Sequence, residues 1–591
     1  MAFFGAIPPY DPTLADSDQP LPPLGAVGRA LPLHDWDEKA FTAADLRERM
    51  RLSCHAWAGY GFGAPPAAYA FYLIKHYVWF KAWLYFCGFG TDAALASAPL
   101  SLALLTRDTM ARLVVFNLLF EVAGVGCACG PLTARFLPPF SALPHWLWVG
   151  SVKMPYRFDL RDGRRGLVGG TTRTRVDVAL FLVLVVCCLR ALYAPSLGAA
   201  EAGPVVLALA VLGLLDTTII LASRFEVYGY MTACIALSSL ADDPDAALTT
   251  ALKVVQLGIW LWASISKWGP WFPLTVQVML TNSMTWPFTT KAFRRALFAD
   301  LSKSDLRASF FCKALTHAGS LTEFLFPLAL CSSTDATRSV ALFVMCGFHA
   351  FIFSQVAMAA PQEWNIFTVM NGLYLFRSAG LSSADVRALP GPLLGFLVLV
   401  ELLVPALGNL KSKYVSFLPA MRYYAGNWPI SVWMVKRSAY HKLARIPSVS
   451  GSFYDQAFAM YGVRGVRQLV ECKIMAFISM HNHGRLLPKL MPLAVGGADR
   501  IDDHMFFLGE FMAAQALGYN FGDGHLHGSL LLDAIQGRCG FEKGECVQIF
   551  IDSCPATGSE FPWFIRDATA PFVAVVSGAG NAAALAEGQP Y

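Results

Sequence analysis

The chain has 591 residues, of which 55% are hydrophobic and only 15% are charged, and its mean hydropathy is +0.47. This balance excludes an ordinary soluble multidomain protein and indicates an integral membrane protein. The formal net charge of +5 is small and the basic residues cluster in particular loops, which argues for orientation in a membrane and against nucleic-acid binding.

Two segments precede the long apolar runs. Residues 1–33 are rich in proline and lack the basic and apolar stretches of a signal peptide, so we expect a disordered or loosely docked arm. Residues 34–66 place Asp45, Glu48 and Arg49 at helical spacing. This spacing predicts an amphipathic helix that rests on the membrane surface.

Residues 67–408 contain apolar runs long enough to cross a bilayer. The predicted spans are 67–90, 110–130, 176–194, 204–222, 250–266, 314–331, 338–358 and 391–408, with shorter candidates at 225–241 and 363–378. Together they predict roughly ten transmembrane helices if both short runs cross.

The charges of the loops predict an orientation. Residues 131–175 and 267–313 are rich in lysine and arginine, whereas ADDPD at 241–245 contains no cation. Because positively charged loops stay on the cytoplasmic side, both basic segments are expected there. Ten crossings then place both termini at the cytoplasmic face of a plasma or organellar membrane.

From residue 409 the apolar runs shorten, and the tail 409–591 is long enough for one small soluble domain. Helical spacing recurs at 453–480 and 504–518, and CVQIFID at 546–552 is typical of a strand. The predicted fold is therefore an all-α polytopic membrane bundle with a small α/β C-terminal domain.

Polar side chains within the predicted spans are costly in a bilayer, so each is a candidate site residue that needs a partner. Asn117 and Glu121 are four residues apart and share a helix face, which makes Glu121 the predicted counter-ion of Lys75 or His76. These groups either pair with one another to fix helix register or line a wet or substrate-filled cavity. The intramembrane polar cluster consists of Lys75, His76, Asn117, Glu121, Asp216 and Glu401.

Lys267 is the candidate at the end of a span. It follows the apolar run ALKVVQLGIWLWASIS and is followed by a break at Gly269 and Pro270. Its ammonium either reaches the membrane interface, as lysine commonly does, or turns inward toward His349 and Glu323. The tryptophans around it either anchor the chain at the interface or wall a pocket for a lipid head group.

Histidines cluster in the tail, within HNHG at 481–484 and GDGHLHG at 522–528. Residues two apart on an extended segment face the same way, so each pair could supply imidazoles to a divalent metal such as zinc or iron. Glycine-flanked histidines also occur in ordinary turns, and both interpretations stay open. The candidate ligands are His481, His483, His525 and His527.

Several strings resemble one family along nearly the whole chain. RLSCHAWAGYGFGAPPAAYAFYLIK, PQEWNIFTVMNGLYLF and GYNFGDGHLHGSLLLDAIQGRCGFEKGE are similar to an uncharacterised family of bacterial, notably actinobacterial, polytopic transmembrane proteins. The resemblance implies a membrane protein of similar length, and it brings no activity with it.

A more distant resemblance concerns ASISKWGPWF, HAGSLTEFLFPLAL and CGFHAFIFSQVAM, mainly within 250–380. These strings are similar to the horizontally transferred transmembrane domain shared with vitamin K-dependent gamma-carboxylase. The resemblance implies that Lys267 is a base acting on a reduced quinone, with His349 and Glu323 in its pocket. Glutamate carboxylation itself is not predicted, because the tail is shorter than that of the carboxylase and is expected on the opposite side.

Two hypotheses for function follow. The chain lacks the GxxxxGK[ST], GxGxxG, HExxH and GxSxG motifs, so nucleotide hydrolysis and the commoner hydrolase mechanisms have no support. The first hypothesis is a membrane enzyme or redox-lipid handler that admits a quinone, isoprenoid or acyl lipid and uses Lys267, His349 and Glu323. The second is a non-enzymatic lipid transporter, scaffold or subunit of a larger complex. The expected partners are the bilayer, a lipid-like small molecule and other membrane proteins.

Overall fold

The computed structural model describes residues 10–12, 37–61, 66–88, 105–127, 142–156, 169–283, 285–355, 362–412, 414–423, 425–519 and 524–591. Most of the predicted arm and much of the basic segment 131–175 lie outside these residues. For His525 the backbone is described and the side chain is not.

The first helices lie against the tail. Asp45 caps α2 by accepting a hydrogen bond from the Glu48 backbone N–H at 2.9 Å, which satisfies a free donor at the helix start. The apolar face of α2 packs on tail helices between residues 467 and 480, and the Trp57 indole donates to Thr281 Oγ1 at 3.1 Å. The predicted amphipathic helix is therefore present, and protein covers its apolar face. The helices are α1 (Glu38–Ala43) and α2 (Leu46–Tyr60).

The middle of the chain is a helical bundle. Its helices are α3 (Pro66–Phe86), α4 (Arg107–Val122), α5 (Ala142–Trp146), α6 (Arg175–Tyr193), α7 (Ala199–Leu215), α8 (Thr217–Ala222), α9 (Tyr230–Ser238), α10 (Pro244–Ile265), α11 (Phe272–Asn282), α12 (Lys291–Ala296), α13 (Phe310–Leu330), α14 (Asp335–Gln355), α15 (Gln362–Phe376), α16 (Ser383–Arg387) and α17 (Gly391–Leu410). Two π-helical turns occur, Phe225–Gly229 before α9 and Val398–Leu403 within α17. Strands β1 (Phe298–Asp300) and β2 (Asp305–Ala308) form a small antiparallel pair.

Each predicted apolar run contains a helix, but the predicted number of spans is corrected. Within the described part of the chain, four helices are long and apolar enough to cross a membrane, namely α6, α10, α14 and α17. The other helices are shorter than a membrane crossing requires or carry too many polar residues. The predicted span 110–130, for example, stops being helical after Val122, where Gly124 adopts a φ of 71°.

The predicted span 204–222 is broken by a buried acid. Asp216 ends α7 and caps α8, where its carboxylate accepts from the Thr218 N–H at 3.1 Å. The same carboxylate lies 2.7 Å from the guanidinium of Arg173, and both side chains are fully buried. Because the buried carboxylate needs its cation, the ion pair holds Asp216 at the break between α7 and α8.

The tail contains a five-stranded antiparallel sheet in the order β4-β3-β5-β6-β7. The strand predicted at 546–552 is confirmed as β5, whereas 504–508 is strand β4 and only the residues after it are helical. The strands are β3 (Ile430–Lys436), β4 (His504–Leu508), β5 (Cys546–Ile551), β6 (Glu560–Asp567) and β7 (Val576–Asn581). The tail helices are α18 (Phe453–Val466), α19 (Met475–Met480), α20 (Leu487–Val495), α21 (Gly509–Leu517), α22 (Ser529–Cys539) and α23 (Ala582–Ala586), and a π-helical segment (Arg467–Ile474) precedes α19.

The bundle and the tail share one continuous hydrophobic core. The Trp146 indole donates to the Leu517 carbonyl at 3.0 Å, and the Ala556 N–H donates to the Asn409 carbonyl at 2.8 Å. Even the arm contributes, because the Tyr10 N–H donates to Asp455 Oδ1 at 2.9 Å. The tail is thus packed onto the bundle along several elements.

Breaking the buried Arg173–Asp216 ion pair is expected to destabilise the fold strongly. Asp216→Asn removes the charge that balances a fully buried guanidinium, so we expect a loss of about 3–5 kcal/mol of unfolding free energy. The control is Asp335→Asn, because the Asp335 side chain is 91% exposed beside Arg338 and its pairing contributes no more than about 1 kcal/mol. Thermal unfolding of the detergent-solubilised variants measures the difference. Equal midpoints for the two variants would show that the buried pair does not hold the break.

Candidate functional site

The buried face of α10 carries a row of polar side chains from the middle of the helix to the turn that follows it. These residues are three or four apart, the spacing that places them on one helix face, and all of them are buried. At about 1.5 Å per residue the row extends over roughly 20 Å. We call it the polar stripe, and it consists of Lys253, Gln256, Trp260, Ser264 and Lys267.

Each member of the polar stripe has a hydrogen-bond partner on a neighbouring segment. Lys253 donates to the Gly380 carbonyl at 2.8 Å, and Gln256 accepts from the Asn371 amide at 2.9 Å. The Ser264 hydroxyl donates to the Ser320 carbonyl at 2.9 Å. Hydrogen bonds between helices are the means by which polar groups are accommodated in a membrane bundle.

The turn after α10 holds Lys267 in place. Its backbone N–H donates to the Ser264 carbonyl at 2.9 Å, which continues the last helical turn. The Trp271 indole donates to the Ser266 carbonyl at 3.1 Å, and its ring lies so close to Gly269 that a Cβ there would fall 2.0 Å from a ring carbon. The predicted break at Gly269 therefore positions Trp271 as well as ending the helix.

The Lys267 ammonium points inward. Its Nζ donates to both carboxylate oxygens of Glu323 on α13, each at 2.6 Å, and the two residues are 6% and 4% exposed. The ring of Phe272 lies 5.7 Å from the ammonium. Charge-assisted hydrogen bonds of this length are strong, and burial shields the pair from water. Of the two orientations left open by the sequence, the structure has the inward one.

His349 lies beside a different part of the polar stripe. Its Nε2 accepts from the Trp260 indole N–H at 3.0 Å, so Nδ1 carries the proton and donates to Asn365 Oδ1 at 3.1 Å. Both ring nitrogens are thereby used and the imidazole is a fixed neutral tautomer. The structure brings Lys267 and Glu323 together, and it does not join His349 to either of them by a hydrogen bond.

The predicted partner of Lys75 is corrected. Lys75 pairs with Glu363 of α15 at 3.0 Å and donates to the Gly126 carbonyl at 2.9 Å. The Glu121 carboxylate instead accepts from the Cys127 N–H at 2.7 Å. Glu121 faces the turn that follows its own helix, and this turn could not be located from helical spacing.

The sequence reasoning missed another buried ion pair, Arg224 with Glu226, and the tail residue Tyr423 hydrogen-bonds to it. Arg224 has a φ of 55° and its Nε donates to Glu226 Oε1 at 2.7 Å, while the Tyr423 hydroxyl donates to the same oxygen at 3.0 Å. The guanidinium lies 5.3 Å from the ring centroids of Trp364 and Tyr423. Opposite charges two residues apart, where the predicted span 204–222 ends and the predicted span 225–241 begins, were the available signal.

The remaining members of the predicted polar cluster have separate roles. Asn117 accepts from the Trp79 indole at 2.8 Å, which ties α4 to α3. The His76 ring packs 5.8 Å from the ring of Phe353. Asp216 is the helix cap described above, and Glu401 lies on α17 against α10. These residues therefore have partners on different elements, and a shared cavity stays a prediction.

The sequence comparison agrees with this membrane architecture. A family model described as "Transmembrane protein of unknown function (DUF3556)" matches residues 25–591. The chain belongs to this family. No curated protein and no solved structure matches it. The predicted membership of an uncharacterised transmembrane family is confirmed, whereas the actinobacterial origin and the likeness to gamma-carboxylase receive no support.

Three of the four candidate histidines in the tail of this DUF3556 chain are buried, and His481 and His483 pack against aromatic rings. His481 Nδ1 donates to the Phe477 carbonyl at 2.7 Å, and the His483 ring packs 4.2 Å from the ring of Phe561. His527 pairs with the Ser431 hydroxyl at 2.8 Å. Within the described ranges, no three His, Cys, Asp or Glu side chains are arranged to hold a metal. The metal hypothesis stays a prediction, and its fourth residue, His525, has no described side chain.

Burial lowers the pKa of His481 and of His483 and makes the fold sensitive to acid. Desolvation lowers the pKa of His483 to about 3, from an ordinary value of 6.5. In the unfolded chain the ring takes up a proton below pH 6.5, so its contribution is complete above that pH and is lost as pH falls toward 3.

We therefore expect acidification from pH 6.5 to 4 to remove on the order of 3 kcal/mol of unfolding free energy through His483 alone. The variant His483→Leu should show a flatter dependence of unfolding free energy on pH across this range, and the exposed His441→Leu serves as the control. Denaturant unfolding at several pH values measures both slopes. A His483→Leu slope equal to that of the wild type would contradict the assignment.

Proposed function

We propose that this protein binds the polar head of a membrane-embedded lipid, such as a quinol or another hydroxyl-bearing isoprenoid, and exchanges a proton with it at Lys267 and Glu323. The observation that carries the proposal is the inward ammonium, which donates to both oxygens of Glu323 at 2.6 Å. A buried ion pair is a poor way to gain stability, because apolar residues of similar volume commonly stabilise as well or better. Ionisable groups within a membrane bundle are accordingly candidates for function.

The chemistry follows from the pairing. Transfer of one proton from the Lys267 ammonium to the Glu323 carboxylate leaves a neutral amine and a neutral acid, with no change in total charge. The amine is then a base that can take a proton from a hydroxyl group of the bound head, which leaves the head as its anion and Lys267 as an ammonium. Glu323 holds the acid proton and can return it to that anion, which restores the ion pair and the neutral head. Low polarity around the pair favours this neutral form more than water does.

The polar stripe supports the lipid assignment. It begins near the middle of a membrane-crossing helix and ends at Lys267, just past the end of that helix, with the aromatic ring of Trp260 within it and that of Phe272 beside Lys267. An amphiphile needs polar partners for its head and apolar surface for its chain, and α10 offers both on neighbouring faces. His349 is held as a neutral hydrogen-bonding group by Trp260 and Asn365, so we assign it a positioning role.

The distant likeness to vitamin K-dependent gamma-carboxylase also implied a lysine base at this position. Carboxylation is not part of the proposal, because no curated relative supports that likeness. The alternative function, a lipid carrier or a scaffold within a membrane complex, differs in one respect. A carrier binds the lipid without deprotonating it, so the two functions can be separated by experiment.

We also propose that both termini face the cytoplasm. The described residues contain four helices that are long and apolar enough to cross, and this number, like the ten first predicted, is even and would return the chain to its starting side. Helix α10 runs from the acidic ADDPD segment to the basic segment 267–313, the direction expected for a helix that enters the cytoplasm. Reporter fusions at the C-terminus that are active on only one side of the membrane test this orientation.

The variant Lys267→Met tests the lipid site. We expect the detergent-purified wild type to bind a short-chain quinol and to shift its ultraviolet absorbance toward that of the quinolate anion. The variant should lose the absorbance shift, because methionine has no basic group. The matched control is Lys253→Met, which removes a lysine from the same helix face that is bonded only to the Ala379 and Gly380 carbonyls.

Three outcomes are informative. A shift lost in Lys267→Met and kept in Lys253→Met supports the proton-transfer role. Quinol binding without any absorbance shift in the wild type would favour the carrier. Unchanged binding and an unchanged shift in Lys267→Met would remove this lysine from the mechanism.

A further inference from the structure

Glu401 is a buried acid in the last membrane-crossing helix. It lies in the π-helical turn Val398–Leu403 of α17 and is 7% exposed. Its carboxyl group rests on α10 at Gly258, where an added Cβ would fall 2.0 Å from Oε2. The Trp262 indole donates to the Glu401 backbone carbonyl at 2.7 Å and holds the two helices at this point. Single π-helical turns are rare and are frequently found at functional sites.

The carboxyl group of Glu401 lacks the cationic partner that five other buried acids of this chain have. Neither of its oxygens has a hydrogen-bond partner or a cation within salt-bridge distance in the part of the chain that the structure describes. Five other buried acids each face a lysine or arginine at 2.5–3.0 Å. They are Asp177 with Lys153, Asp216 with Arg173, Glu226 with Arg224, Glu323 with Lys267, and Glu363 with Lys75.

The groups around Glu401 do not compensate a negative charge. The ionisable side chains of neighbouring helices within electrostatic reach are Glu226, Tyr230 and Cys234, and none of them is a cation. Glu226 is itself an acid, on the other π-helical turn of the bundle. An ionised carboxylate at this place would lack a counter-ion and a donor, and this costs several kcal/mol in an apolar interior.

We propose that Glu401 binds a proton at neutral pH and is a proton-binding site of the membrane bundle. The neutral acid removes the uncompensated charge, while Glu226 keeps its charge because Arg224 balances it. The two π-helical turns thus present two acids of opposite protonation to each other. This inference is independent of the quinol site at Lys267.

The test uses dicyclohexylcarbodiimide, an apolar reagent that reacts with protonated carboxyl groups in membranes. The acid proton moves to one carbodiimide nitrogen, the carboxyl oxygen bonds to the central carbon, and the acyl group then migrates to nitrogen to give a stable N-acylurea. The full-length protein in liposomes is labelled at pH 7 and the adduct is located by peptide mass spectrometry. We expect at least about tenfold more label on Glu401 than on Glu226, which is buried beside the guanidinium of Arg224 at 2.7 Å.

The isosteric variant Glu401→Gln provides a second measurement. A neutral amide replaces a neutral acid, so the thermal midpoint should stay close to that of the wild type and the adduct should disappear from this peptide. Glu226→Gln is the matched control and should lower the midpoint, because it leaves Arg224 without its counter-ion. Absence of label on wild-type Glu401, or a midpoint loss in Glu401→Gln as large as in Glu226→Gln, would show that Glu401 is an ionised, paired carboxylate and overturn the proposal.

Discussion

The cost of charge in an apolar interior is the constraint on which this structure depends. The bundle buries many lysine, arginine and acidic side chains, and it balances most of them by pairing across elements that are distant in sequence. The pair Arg173–Asp216 fixes a helix break. The pair Lys75–Glu363 joins α3 to α15, and the pair Lys267–Glu323 joins the end of α10 to α13. Because each pair loses its balance if either helix moves alone, the pairs define the arrangement of the helices.

The polar stripe on α10 shows how a single helix can serve packing and chemistry together. Lys253 and Gln256 hydrogen-bond to a backbone carbonyl and to a side-chain amide of neighbouring segments. Such neutral partners are what polar groups need in any helical bundle. At Lys267 the partner changes from a neutral carbonyl to a carboxylate, and a proton can then move between the two groups. The difference between Lys253 and Lys267 is therefore one of partner and not of burial, since both lysines are buried.

Sequence reasoning located the helices better than it located their partners. Apolar runs gave the helical segments, and the strand β5 followed from CVQIFID, because both patterns are local. The number of spans was wrong because a run can be apolar and still contain a cap such as Asp216 or a turn such as Gly124. The Glu121 prediction failed, and Arg224 and Glu226 were missed, since side-chain pairing depends on turns and on contacts with the tail. Lys267 was found because a basic residue at a helix end is visible in the sequence, whereas Glu323 was placed in its pocket by the distant resemblance to the carboxylase.

The contact between α2 and the tail has a consequence for the order of biosynthesis. Arg49 on α2 pairs with Asp502, and Tyr10 bonds to Asp455, across more than 400 residues in each case. The ribosome therefore releases α2 long before the surface that covers its apolar face exists. Until the tail emerges, that face is free to lie on the lipid surface, as its amphipathic sequence first indicated. Burial of the apolar face of α2 is then a late event in folding, because it has to wait until the tail has been synthesised.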